Sequence, residues 1–322
     1  MRETDYAYAV ARIRCNELKL LTKSDMEQLL NQPDAQSCIK RLTDKGYGRN
    51  GVVYSNEREL LKAESESAWE LINEIAPDKS NFDSLKVGND YHNLKAVLES
   101  FILGQSYENL MLYPVTVEPS VMHEAFKTRD FSLLSERMAA AAQEAYTVMV
   151  EERDSQRGEA IIDKACMEDT LARAKGCGEV LEKLAEHKIV TTDIKIAMRC
   201  ALTKKPMSLL KASLAECDKL KVTELAAAAV ESPAAVLEYL ASNGYEDAAE
   251  KLRESMSAFE KWCDEKMRDI ISPAKYRSLG PDPLAAYLVA KELEIRSARI
   301  ILSGKRNGVN SEKLRARLRE LY

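Results

Sequence analysis

His92-Asn93-Leu94-Lys95-Ala96-Val97-Leu98 decides how this chain is read, because the same pattern comes back twice. Its counterparts are Thr192-Asp193-Ile194-Lys195-Ile196-Ala197-Met198 and Glu294-Ile295-Arg296-Ser297-Ala298-Arg299, so an aliphatic residue followed by a base recurs about every 100 residues. In the first copy Leu94, Val97, Leu98, Phe101 and Ile102 fall at i, i+3, i+4, i+7 and i+8, and Ile194, Ala197, Met198, Ala201 and Leu202 repeat that spacing. This is the period of an amphipathic helix with one apolar stripe. The third copy keeps Ile295, Ala298, Ile301 and Leu302 but puts Arg299 on the stripe, which predicts a narrower or rotated buried face.

A second element repeats with the same period, in segments beginning at Met26, Val121 and Leu225. Each is followed by a short break, Asn31-Gln32-Pro33-Asp34, Thr128-Arg129-Asp130 or Glu231-Ser232-Pro233, with Pro or an N-capping residue where the next helix starts. The first and third then stop at Asp44-Lys45-Gly46-Tyr47 and Ser242-Asn243-Gly244-Tyr245, where glycine takes the left-handed cap conformation that other residues resist. Longer helical stretches are expected at Leu60 to Ile75, Gly158 to Glu186 and Met256 to Ile271. In the last, Met256, Phe259, Cys263, Met267 and Ile270 trace one core-facing face. Val52-Val53-Tyr54 and Met111 to Val117 are the only strand signals and are expected to pair locally, weakened by Pro114.

The expected fold is all-α: three similar helical units of about 100 residues each, 1–115, 116–218 and 219–322, that bury their apolar faces against one another. Composition agrees. Of 322 residues only 12 are Gly and 9 Pro, and the abundant Ala, Leu, Glu, Lys, Arg and Met lose little rotamer freedom in a helix. Helix is expected to exceed about 60% of residues, against roughly one-third in typical globular domains.

Charge and cysteine usage narrow the function classes. The net charge of −5 gives no overall footprint for nucleic acid. From Lys291 to Tyr322, however, nine Lys or Arg stand against four Glu, a basic end that suggests an acidic partner or a solvated helix face. Seven scattered cysteines without a C-x-x-C pair read as buried or free thiols in a reducing cytosol. Met1 to Tyr8 lacks the apolar core of a secretory signal, and no apolar run approaches the roughly 18 residues a membrane-spanning helix needs. A membrane connection is expected to pass through a partner.

No catalytic, cofactor or metal site is expected. His92, His123 and His187 form neither H-E-x-x-H nor a zinc-spaced Cys/His cluster. Gly304-Lys305-Arg306-Asn307-Gly308 lacks the phosphate-loop pattern and follows a helix, so it reads as a turn stopped by Gly304. The pairs Glu151-Glu152 and Glu168-Asp169 lie on polar helix faces.

Tyr6-Ala7-Tyr8-Ala9-Val10-Ala11-Arg12-Ile13-Arg14, Leu20-Leu21-Thr22, Gly46-Tyr47-Gly48, Tyr91-His92-Asn93-Leu94-Lys95, Glu294-Ile295-Arg296 and Ile300-Ile301-Leu302-Ser303-Gly304-Lys305 together resemble the C-type subunit of V/A-type ATPases, whose eukaryotic counterpart is the d-type subunit. The resemblance implies a funnel-shaped body of three similar subdomains with no active site. It would sit on the cytoplasmic face of a membrane proteolipid ring, receive the tip of the central shaft (the D- and F-type subunits), and couple the two for proton or sodium transport. Asp193 and Ser297 depart from the family pattern, which implies amide-bearing residues at those places. Partner-contact candidates are Lys95, Lys195 and Arg296, with Arg12 and Arg299, facing acidic groups of the shaft from a shared concave side. A helical scaffold unrelated to rotary motors fits the same repeat, as does an enzyme whose site is assembled from ordinary residues.

Overall fold

Local capping chemistry starts the helices where the sequence places them. Thr22 accepts from the Asp25 amide at 3.2 Å while the Asp25 carboxylate takes the Thr22 amide at 2.9 Å, a reciprocal cap. Asp34, Asn56, Ser232 and Ser255 likewise accept from amides of the helices they precede, at 2.8–3.1 Å. In the computed structural model, which describes residues 2–319 and 321–322, 75% of the chain is helical and no strand occurs among the described residues.

The helices are α1 (Ala7–Glu17), α2 (Lys23–Leu30), α3 (Ala35–Asp44), α4 (Glu57–Ile75), α5 (Val87–Leu103), α6 (Pro119–Thr128), α7 (Glu136–Val150), α8 (Ser155–Ala174), α9 (Glu179–Leu202), α10 (Met207–Ser213), α11 (Val222–Glu231), α12 (Pro233–Ser242), α13 (Glu246–Glu254), α14 (Met256–Ile271), α15 (Asp282–Arg306) and α16 (Ser311–Arg317). The hairpins α2–α3 and α11–α12 break at the expected places. Gly46 and Gly244 sit at φ 90° and 83°, and Tyr47 and Tyr245 donate their amides back to the Leu42 and Leu240 carbonyls at 3.0 and 2.9 Å. The two stops are the same motif.

These helices form two compact units. One takes the chain up to Lys79, Gly178–Val180 and everything from Glu254, while the other takes Ser80–Cys177 and Leu181–Arg253. In the first, every residue from Asp282 to Lys291 is buried, so α15 is the central helix. Further along it, Ile295, Ala298, Ile301 and Leu302 pack with Leu29, Leu30, Ile39, Leu42, Leu60 and Leu61 from α2, α3 and α4. Arg299 is exposed, as the rotated stripe requires. In the second unit, Leu94, Val97 and Leu98 of α5 pack with Met122 and Phe126 of α6, Met138 and Ala142 of α7 and Ile162 of α8. Each such leucine, fully buried, contributes about 1.5–3 kcal/mol.

Several expectations change. The stretch Gly158 to Glu186 is two helices, because Gly176 and Gly178 take φ of 78° and 137° between α8 and α9. Gly178 also lies against Asp282, whose Oδ1 accepts from the Val180 amide at 3.1 Å at the start of α9. Gly304 does not stop α15. It is helical and lets Leu314 of α16 approach: a Cβ there would lie 3.0 Å from Leu314 Cγ and closer to both methyls. The stop is Gly308 at φ 65°, with the Val309 amide donating to the Gly304 carbonyl at 2.9 Å. Val52–Tyr54 and Met111–Val117 do not pair. The second is an irregular strap whose backbone is satisfied by side chains of α5.

Candidate functional site

The five bases fall in both units. Lys95 and Lys195 belong to the second, Arg12, Arg296 and Arg299 to the first. Lys95 is bound to Asp163 at 2.6 Å. Arg296 is held by Asp264 and by Glu292, the latter at 2.9 Å. Arg12 donates to Tyr8 Oη at 2.8 Å and lies 3.6 Å from Glu74. Lys195 and Arg299 form no ion pair among the described residues, and Arg299 is exposed on α15.

Immediately before each repeat base pattern stands a buried polar residue: Asn93, Asp193 and Glu294. Each holds the backbone of an irregular segment that precedes a repeat hairpin or helix. Asn93 donates to the Leu112 carbonyl at 2.9 Å and accepts from the Leu112 amide at 2.8 Å. Asn89 and Asp90 extend this clamp, Asn89 donating to the Pro114 carbonyl at 2.9 Å and Asp90 accepting from the Thr116 amide at 2.8 Å and its hydroxyl at 2.6 Å. Burial raises the Asp90 pKa although the Thr116 bonds oppose it. Asp193 Oδ1 accepts from the Ala215 amide at 3.2 Å, but Oδ2 is buried with no hydrogen-bond partner. Burial, opposed by the Ala215 bond, pushes the Asp193 pKa up to about 7. Glu294 accepts from the Leu21 amide and the Tyr47 hydroxyl. The repeat relation therefore assigns Glu294 to the place of Asn93 and Asp193; Ser297 is buried one helical turn later with its hydroxyl unpaired.

Glu294 also anchors a charge network that the sequence reading missed. Lys291, only 4% exposed, binds Glu294 at 2.7 Å and Glu64 at 2.8 Å and lies 5.0 Å from the Tyr47 ring centre. The second oxygen of Glu64 takes the Gly48 amide at 2.9 Å. Burial alone would lower the Lys291 pKa; Glu294 and Glu64 outweigh it and raise the value. Burial and Glu294 together hold the Tyr47 phenol well above its usual range. The available signals were the i, i+3 spacing of Lys291 and Glu294 and the Gly46-Tyr47-Gly48 motif. Much of the remaining basic end also meets groups of its own unit: Arg319 binds Asp264 at 2.7 Å, Arg306 binds Glu57 at 2.5 Å, Arg315 binds Glu27 at 2.7 Å, and Lys305 donates to the Leu30 carbonyl at 2.6 Å. Lys305 thereby satisfies a carbonyl at the C-terminal end of α2.

Among the described residues no helix is long and apolar enough to cross a membrane, and no group of three or more His, Cys, Asp or Glu is placed to hold a metal ion. The site is therefore a set of buried clamps and mostly paired bases. Against known families, residues 9–317 match the ATP synthase (C/AC39) subunit. The chain belongs to that family. The C/AC39 match spans both units, and the resemblance seen in the sequence is to the right family. Among curated relatives, the C-type subunit of the V-type sodium ATPase of Enterococcus hirae is 22% identical over 319 residues, covering 96% of this chain and 97% of the relative. The C-type subunit of the A-type ATP synthase of Desulfurococcus sp. is 24% identical, covering 97% and 90% respectively. The corresponding V-type ATP synthase subunit of Thermus thermophilus is 26% identical over 180 residues, covering 53% and 55%.

Proposed function

We propose that this chain is the non-catalytic socket of a rotary V/A-type ATPase, joining D- and F-type shaft subunits to the proteolipid ring at the cytoplasmic face of the membrane. The observation that carries the reading is the C/AC39 match over residues 9–317, supported by the V-type sodium ATPase relative, aligned over 97% of its length. A connector under torque has to be stiff. Close-packed interiors have low compressibility and transmit strain, and the buried face of α15 supplies such an interior in one unit.

In this reading the sequence repeat divides the chain into three modules at about residues 115 and 218, each with a clamp and a base. Arg12, Lys95, Lys195, Arg296 and Arg299 contact acidic shaft groups, Lys195 and Arg299 most directly because local carboxylates do not already hold them. The test is paired measurement of ATP hydrolysis and vesicle ion uptake in a complex depleted of this chain. Hydrolysis should persist, uptake should fail, and adding the chain back should restore uptake. Normal ATP-driven uptake in a complex verified to lack the chain sinks the proposal.

A further inference from the structure

The first unit carries an open groove of about 1140 Å³ where the end of α1, the start of α2 and the segment after α16 meet. Its floor is apolar, built from Leu18, Leu20, Met26, Leu318 and Leu321. Leu18 is 87% exposed. Contiguous apolar surface around such a residue gains free energy when it is covered, by about 25 cal/mol per Å² removed from water.

The rim is basic: Arg14, Lys23, Lys275, Arg315 and Arg319 line the groove, with Glu17 and Glu27 the lining acids among the described residues, in a chain of net charge −5. Three of these bases are fixed in place. Arg14 binds Glu17 at 2.8 Å and donates to the Ala274 and Arg277 carbonyls at 2.7 Å, Arg315 meets the two Glu27 oxygens at 3.0 and 2.7 Å, and Arg319 meets Asp264 at 2.7 Å. Lys23 and Lys275 form no ion pair among the described residues, and Lys275 lies 4.1 Å from the Tyr322 ring centre. Glu17, Glu27 and Asp264 neutralise those three arginines, so the uncompensated charge of the rim is that of Lys23 and Lys275, and two free ammonium groups beside an apolar lining are complementary to an occupant that carries carboxylates beside its apolar face.

Size selects the occupant. Small-molecule sites are concave enclosures of about 300–1,000 Å³, and this groove, about 1140 Å³ and partly open, exceeds that range. A helix about 10 Å across that rises 1.5 Å per residue fills such a volume with roughly ten residues. We propose that the groove docks an acidic amphipathic helix of another protein chain, its aliphatic side chains on the leucine floor and its carboxylates against the basic rim. This docking site is independent of the socket reading, since it requires neither a shaft nor a ring.

The probe is a fluorescein-labelled peptide of about 18 residues, long enough to hold helix, with Leu on one face and Glu on the other. Anisotropy should show micromolar binding to the full chain, weakening as salt rises. The variant Leu18→Glu/Lys23→Glu/Lys275→Glu changes three exposed positions, and its circular dichroism should match the parent while affinity drops about tenfold or more. No binding, equal binding of the same peptide with Lys in place of Glu, or undiminished binding by the triple variant overturns the proposal. Capture of phosphatidylglycerol vesicles without the peptide overturns it in favour of a lipid surface. Neither readout involves ATP or ion transport, so failure here leaves the socket test untouched.

Discussion

Asn93 of α5 and Asp193 of α9 each precede an aliphatic residue and a lysine in the same sequence pattern and are both fully buried, yet Asn93 exchanges two hydrogen bonds with Leu112 while Asp193 makes one to Ala215 and leaves Oδ2 unpaired. The second helix thus holds an acid with one unpaired oxygen where the first holds an amide bonded through both atoms. A buried polar atom without a partner destabilises by about 1–3 kcal/mol, more when it carries charge.

Asp193→Asn should therefore make the chain more stable at alkaline pH. The folded pKa, about 7, stands above the ordinary 3.8. Folding then takes up a proton between those values, so this group's contribution is fully present below about pH 4, declines as pH rises, and levels off above about pH 7. Urea unfolding at about pH 5 and about pH 9 should show the substitution gaining roughly 2–4 kcal/mol at the higher pH and much less at the lower. Equal effects at both would show that the carboxyl does not titrate in the folded chain.

Lys291→Met should be among the most damaging single substitutions. It keeps the side chain's bulk but leaves Glu64 and Glu294 buried without their cation. The loss should be about 3–5 kcal/mol in denaturant unfolding. Adding Glu64→Gln and Glu294→Gln should recover part of it, and a single substitution as mild as a surface change would show the pair to be solvated.

The contact between Gly304 and Leu314 gives a packing test. Gly304→Ala improves helix propensity by about 1 kcal/mol but drives a methyl into Leu314. Overpacking of this kind costs about 1–3 kcal/mol, so the net effect should be a modest loss. In a double-substitution cycle, Leu314→Ala should turn Gly304→Ala from harmful to neutral or favourable. An unchanged effect of Gly304→Ala in that background would separate the two positions.

Lys195→Glu combined with Arg299→Glu should leave thermal unfolding within about 0.5 kcal/mol of the parent, since neither base has a local ion pair to lose. Co-assembly with purified shaft subunits should weaken by about tenfold at low salt and by less at high salt. Unchanged assembly would remove these bases from the shaft contact.

What could be read from the sequence was what is decided locally. The stops at Gly46 and Gly244 and the breaks at Asp34 and Ser232 each depend on a few adjacent residues, and the structure keeps them. The stripes of α5, α9 and α15 also emerged over most of their length, because helical period records which side is buried, but Ile102 and Leu202 at the ends of α5 and α9 are exposed. Gly304 was misread because a glycine required for close approach looks the same in sequence as one required for a turn. Met111 to Val117 carried the apolar character of a strand, but its amides and carbonyls are answered by Asn89, Asp90 and Asn93. The Lys291 pairing was hidden because Glu64 lies far away in the chain, and a charge count gives sign without partner.

The unit built around α15 draws α2, α3 and α4 of its core from the opposite end of the chain. During synthesis α2, α3 and α4 leave the ribosome well before α14 and α15 exist, whereas the helices of the other unit emerge almost as one continuous run. At about 5–20 residues per second, the interval between α4 and α15 is on the order of ten seconds or more. Through that delay Leu29, Leu30, Leu42 and Leu60 lack the surface that eventually covers them. The nascent chain consequently has a period of exposure to chaperones that its contiguous unit, complete before α14 is made, does not share, and shortening the segment between Lys79 and Glu254 would reduce it.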